Sequence, residues 1–343
     1  MDSVSQAALG GVIGHTVLGH RVGRKAAAWG AVCGTLPDLD VFIPLGNDVL
    51  NVTMHRAASH SLLVLCLAAP AVAWGITRIH RDTWQYWRGW MLLALLSLVT
   101  HPLLDAFTVY GTQLLWPLRA PPVTWSTVFI IDPLYTMPLL AGLIAGLVWH
   151  RGSGLGSRGW RWGLWGLGLS CAYLAFALGA KLHVESAARR DLAAQGISAE
   201  QLLTVAAPFN TLLWRIVAVD DEAYYEGYRS LLDGGETPTP FTRYPRNPEL
   251  LQDLSDHWAV QRLQWFSKGY WAAGERDDTV YLVDLRMGFE PRYVFAFAVG
   301  ERTPAGVIAA DGRRLQLFEF DPGQVAWVWR RIWDVGAGIR PPS

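Results

Sequence analysis

Histidines and aspartates recur between residues 38 and 132 at spacings that suit a divalent cation. In Thr100-His101-Pro102-Leu103-Leu104-Asp105 the imidazole and the carboxylate are four residues apart. On a helix they share a face and address one point in space. His55 and His60, in His55-Arg56-Ala57-Ala58-Ser59-His60-Ser61, are five apart and would diverge by about 140° on a continuous helix. That spacing predicts a loop carrying His55, with Ser59 near an N-cap and His60 opening the next helix. Asp38 and Asp40, in Leu36-Pro37-Asp38-Leu39-Asp40, do not share a helix face, yet from a loop both can turn toward one cation. Asp132, in Ile130-Ile131-Asp132-Pro133, either joins such a group or caps the helix that follows.

The elements that must position these groups read as membrane helices. Of 343 residues 51% are hydrophobic and 17% charged, and the formal net charge is zero, which excludes a nucleic-acid surface built on excess positive charge. The 18 tryptophans are unusually many, and Trp74, Trp90, Trp149 and Trp162 flank apolar runs as interfacial belts do. Apolar helices are predicted over residues 62–76, 90–109, 128–149 and 162–180, each near the roughly 20 residues that cross the hydrocarbon core. Before them lies a small-residue helix over 4–19, then a second segment from Ala26 to the Asp38 loop. The basic cluster Arg21, Arg24 and Lys25 follows the first helix, whereas a signal peptide carries its charge ahead of the apolar run, so this helix is expected to be retained. Cys33, Cys66 and Cys171 fall far apart inside apolar segments, which suits packing rather than a disulfide framework.

Three basic turns, one around Arg24, one around Arg81 and one holding Arg151, Arg158 and Arg161, belong on the cytoplasmic side. The connections between them then face outward. Asp38, Asp40, His55, His60, His101, Asp105 and Asp132 thereby converge at one membrane face, where ionisable groups beside apolar segments are costly enough to point to function. Residues 1–181 form the membrane-embedded domain of this reading. Residues 182–343 form a soluble α+β domain, one crossing away from the last basic turn and so extracytoplasmic. In it, helices are predicted over 183–195 and 247–268, strands over 210–219, 224–232, 279–286 and 292–299, and turns at Asp220-Asp221 and Asp311-Gly312.

These stretches, with Gly23-Arg24-Lys25, Thr100 to Asp105, Tyr110-Gly111-Thr112-Gln113-Leu114-Leu115-Trp116-Pro117 and Ile130 to Pro133, resemble the YdjM/YbcI-type family of membrane-bound, predicted metal-dependent hydrolases, also described as LexA-binding inner-membrane proteins. The likeness covers residues 1–180. It implies an inner-membrane, multi-pass, mostly α protein whose helical bundle is similar to zinc phospholipase C and P1 nuclease. It also implies that Asp38, Asp40, His55, His60, His101 and Asp105 are metal ligands. Many relatives carry Thr-His where this chain has Ser5-Gln6, so His15, further along the same helix, is the expected substitute ligand.

The implied chemistry is hydrolysis of a phosphoester or lipid-like substrate by water activated on one or two divalent cations, zinc first, with manganese or iron accepted by the same His/Asp set. Asp132 or Asp40 is expected as general base, and Arg56 as the holder of an anionic head group. Membrane lipids and a small amphiphilic substrate are the expected partners, with nucleic acid excluded and a protein partner possible through the C-terminal domain. A non-catalytic regulatory or scaffold protein with a structural metal site is the alternative. The LexA association fits it poorly, since an outer domain cannot meet a cytosolic repressor. A transporter ranks last, because inverted repeats and midplane charges are missing.

Overall fold

A computed structural model describes residues 1–149, 154–235, 237–338 and 341. His150 and Arg151, read from sequence as interfacial and as part of the third basic turn, lie outside the described residues. The chain divides into two compact units. The first holds residues 1–43, 55–125 and 130–176; the second holds 44–54, 126–129 and 177–343.

The helices in chain order are α1 (Ser3–Val22), α2 (Arg24–Thr35), α3 (Asp48–Met54), α4 (Leu62–Ile79), α5 (Trp87–Ala106), α6 (Pro133–Val148) and α7 (Arg158–Ala194). Asp2 caps α1, its carboxylate accepting from the Val4 and Ser5 amides. Gly23, at φ 72°, then turns the chain back into α2. The hairpin closes to backbone contact because the facing residues are glycines. A Cβ on Gly10 would lie 2.1 Å from the Gly30 carbonyl oxygen, and one on Gly34 would lie 2.5 Å from that of Gln6. This close packing fixes where the Gly34 carbonyl points. Leu18, Cys33, Leu65, Ile76, Trp90 and Leu98 fill the apolar core between α1, α2, α4 and α5. Cys33 therefore packs as expected, whereas Cys66 and Cys171, expected to pack as well, are exposed on their helices.

Among the described residues, three stretches are long and apolar enough to cross a membrane: Leu62–Ile79, Arg81–Ala106 and Arg158–Ala194. With 16 residues, α6 is shorter. The helix expected from residue 128 starts at Pro133 instead, because proline has no amide to donate and Asp132 takes up the next free amides as N-cap. Nor is there a separate polar helix over 183–195. The 37-residue α7 runs from its apolar start straight into that segment, through the domain boundary expected at 181.

The second unit holds two four-stranded antiparallel sheets. One has the order β1 (Gln201–Ala206), β2 (Leu213–Val219), β3 (Ala223–Ser230), β4 (Thr242–Pro245). The other joins β5 (Trp271–Arg276), β6 (Thr279–Asp284), β9 (Ala296–Thr303) and β10 (Gly306–Leu315), in the order β10-β9-β6-β5, and in the chain between β6 and β9 a small hairpin forms from β7 (Gly288–Phe289) and β8 (Arg292–Tyr293). Asp220 forms the predicted turn between β2 and β3 by accepting the amides of Glu222 and Ala223. Asp311-Gly312 is no turn but lies at the register shift of β10. The helix expected over 247–268 is broken into a 3-10 turn, Pro248–Leu254, and α8 (Trp258–Phe266). A last helix, α9 (Pro322–Trp333), buries Trp327 and Ile332. The short α3 belongs to this unit, where Arg262 donates to the Thr53 hydroxyl at 2.9 Å and the Arg314 amide donates to Asp48 at 2.8 Å.

Candidate metal centre

Four predicted residues meet in the first unit. Asp38 comes from the 3-10 turn Leu36–Phe42 that follows α2, His60 from the 3-10 turn ahead of α4, and His101 and Asp105 from the last turns of α5. One donor atom from each lies within 4.8 Å of the others. His60 Nε2 is 3.1 Å from His101 Nε2, 3.5 Å from Asp38 Oδ1 and 3.2 Å from Asp105 Oδ2. His101 Nε2 is 3.3 Å from Asp38 Oδ1 and 3.6 Å from Asp105 Oδ2.

The hydrogen bonds behind these atoms fix what they are. His101 Nδ1 lies 2.6 Å from the Gly34 carbonyl oxygen, which only accepts, so the ring proton sits on Nδ1 and Nε2 presents a lone pair. Ser59 Oγ donates to Asp40 Oδ2 at 2.5 Å and so accepts from His60 Nδ1 at 2.9 Å, which gives His60 Nε2 a lone pair as well. Two imine nitrogens and two carboxylate oxygens thus face one another with no donor among them. Asp105 Oδ2 is buried and makes no well-aligned hydrogen bond, although Arg56 Nε lies 3.1 Å away. A proton on one imidazole would satisfy these atoms only in pairs. One small divalent cation satisfies all four: donors at about 2.0–2.2 Å from such an ion are roughly 3.3–3.6 Å apart when tetrahedral, close to the 3.1–3.6 Å of the five spacings above. The donor set fits a metal ion, and Ser59 and Gly34 are the outer partners that ligand histidines require.

Around the four, Asp105 Oδ1 accepts from Gln6 Nε2 at 3.0 Å and pairs with the Met1 amino group. Arg56, only 3% exposed and at φ 62°, brings Nε to 3.1 Å from Asp105 Oδ2, donates from Nη1 to the Thr108 hydroxyl and lies over the Tyr110 ring. The head-group guanidinium expected from sequence is therefore buried beside a carboxylate. Asp40 and His55 sit one layer out: His55 Nδ1 and Asp40 Oδ1 are 2.8 Å apart, both side chains are partly exposed, and Asp40 Oδ2 also accepts the Arg56 amide. Burial works to raise the pKa of Asp38, but a proton carried by His101 or His60 in place of an ion outweighs it and holds the carboxyl well below the usual range. Asp40 is lowered in the same way, its burial outweighed by His55 and Ser59.

Two expected residues lie apart from the four. His15 sits among glycines of α1, α6 and α7, its Nε2 2.9 Å from where a Cβ on Gly146 would be. It is nine residues beyond Gln6, roughly 13.5 Å further along the axis of α1, which carries it away from the helix end where the site lies. Gln6 itself reaches Asp105. Asp132 is held as a cap, Oδ1 accepting from the Leu134 and Tyr135 amides and Oδ2 from the Tyr173 hydroxyl at 2.8 Å. Sequence reasoning missed Ser59 as a partner of His60 and the Gly34 carbonyl; the small-residue spacing of the first two helices was the only signal for the second.

Residues 1–184 match the YdjM inner membrane protein family. The chain is also similar to the uncharacterized protein YfhP of Bacillus subtilis (strain 168), 28% identical over 123 residues that make up 35% of each chain. No solved structure matches it. The family match spans more than half of the 343 residues and takes in all four donors of the centre, the apolar stretches Leu62–Ile79 and Arg81–Ala106, and most of Arg158–Ala194. The chain belongs to the YdjM inner membrane protein family.

Proposed function

We propose that this protein is a membrane-bound hydrolase of phosphoesters that uses one divalent cation, zinc by preference, held by Asp38, His60, His101 and Asp105. The observation that carries the metal is the convergence of four acceptors without a donor between them. The observation that favours catalysis is the His55–Asp40 pair, which a purely structural ion does not need. The near-tetrahedral spacing and the mixed nitrogen and oxygen set support zinc over larger cations. The relation to zinc phospholipase C and P1 nuclease enters as a likeness of donor types.

A bound zinc ion would supply Lewis acidity and make a water acidic enough to act near neutral pH. Asp40 accepts from His55 Nδ1–H, which leaves His55 Nε2 with the lone pair that takes a proton from the attacking water. Asp40, rather than Asp132, is thus the acidic residue that supports the base. Arg56, buried beside Asp105, neutralises that carboxylate and so tunes the charge of the donor set. Asp38, on a 3-10 turn and 21% exposed at its side chain while the other three are fully buried, marks the side from which substrate approaches. The centre is assigned to the extracytoplasmic face from the three basic turns.

The complete set of four protein donors favours a second reading, a saturated structural ion in a non-catalytic regulatory protein. One experiment separates the two. Elemental analysis of the purified protein should give one equivalent of zinc, lost in His60→Ala and His101→Ala. His55→Ala should keep the zinc and lose about 10²–10⁴ of the hydrolysis rate of bis-p-nitrophenyl phosphate. Zinc without any phosphodiester hydrolysis would decide for the structural reading, and no metal after loading would remove both.

A further inference from the structure

The 3-10 turn that carries Asp38 and Asp40 faces two ways. Its acidic side chains turn in toward the histidines, while Leu39, Val41, Phe42 and Ile43 are 51%, 65%, 78% and 60% exposed. Four large apolar side chains displayed within five residues are costly in water and mark a surface that meets an apolar phase. The same unit says which phase. Asp38 touches His60, which immediately precedes the membrane-length α4, and His101, in the final turns of the membrane-length α5. Both helices enter the bilayer at the level of this turn, so the apolar ridge stands at the boundary between head groups and acyl chains, where exposed aliphatic and aromatic side chains partition favourably. A soluble partner would have to compete with lipid that is already there.

We infer that residues 39–43 form a lip that enters the bilayer and opens the metal centre toward the lipid phase, so that the centre receives amphiphiles with an anionic phosphate-type head and an alkyl tail. The head reaches Asp38 and the metal site, while the tail stays against Val41, Phe42 and Ile43. This deepens the phosphoesterase reading and rests on it for the head group, but not for the lip itself.

The test uses the full chain in phosphatidylethanolamine/phosphatidylglycerol vesicles, with the native cysteines replaced and a nitroxide at Phe42→Cys or, as an aqueous reference, at Asp277→Cys. Oxygen should relax the label at position 42 far more than a water-soluble nickel chelate does, with a ratio about tenfold above the reference. A ratio equal to the reference would overturn the lip. Spin–spin broadening that vanishes on dilution with unlabelled protein would also overturn it, since the lip would then cover a second copy. In the cobalt-loaded protein, dodecylphosphonate should perturb the visible spectrum at roughly a hundredfold lower concentration than methylphosphonate, and Phe42→Asp should shrink that gap. Equal potency of the two probes would overturn delivery from lipid. A lipid-exposed label in a protein that takes up no cobalt would refute the hydrolase reading and leave the lip standing.

Discussion

At the scale of single residues, the centre depends on groups that orient the ligands as much as on the ligands. Ser59 is the clearest case. It accepts the proton of His60 Nδ1 and passes its own to Asp40, so one hydroxyl sets the tautomer of a ligand and joins the four donors to the His55–Asp40 pair. Ser59→Ala removes that acceptor without opening a large cavity. Zinc affinity, measured by competition with a chelator, should fall about 10- to 100-fold while the saturated protein still binds one equivalent. Unchanged affinity would mean that His60 is held by packing alone. The grouping of these four residues was legible in the sequence, because His101 and Asp105 share a helix face and the loop charges bring Asp38 and His60 to the same end. His15 and Asp132 misled for physical reasons. A helix cannot return a residue nine positions on to the same end, and an aspartate before Pro133 satisfies amides that the helix start leaves free.

The glycine seam between α1 and α2 carries the site at the scale of elements. Gly30 meets Gly10 with a would-be Cβ at 2.1 Å from the Gly10 carbonyl oxygen, a clash with backbone that no rotamer change relieves. Gly30→Ala must push the helices apart, at a cost of about 1–3 kcal/mol for overpacking. The movement would draw the Gly34 carbonyl off His101 Nδ1. Thermal unfolding in detergent should shift down, and zinc affinity should fall although no ligand is touched. A stable variant with full affinity would show that the seam does not position His101. Sequence gave α4 and α5 plainly, because an apolar run between basic turns needs no partner to be recognised. β10 was not legible, because its small residues and half-exposed face give no clear alternation and its pairing is interrupted at the register shift near Gly312. Nor was the break near Ser255, where an amphipathic pattern continues across two short helical pieces.

For the whole molecule, the question is which side of the membrane the centre occupies, since that selects its substrates and partners. The donors sit at one end of α4 and α5, and Arg78, Arg81 and Arg88 sit at the other. The 18 residues of α4 span roughly 27 Å, about the thickness of the hydrocarbon core, so the two ends emerge on opposite faces. If positive charge stays in the cytoplasm, as we propose, the exposed Arg119 loop beyond α5 would lie on the outer face, and crossings by both α6 and α7 would return the chain to that face. In a cysteine-free background, Arg119→Cys and Asp277→Cys should react with a membrane-impermeant maleimide in intact spheroplasts, and Arg81→Cys only after lysis. If Arg81→Cys reacts first, the centre faces the cytoplasm and a cytosolic repressor regains access to it. If Arg119→Cys and Asp277→Cys react from opposite sides, only one of α6 and α7 crosses. Labelling of both from outside would confine the substrates to molecules of the outer leaflet and the extracytoplasmic space.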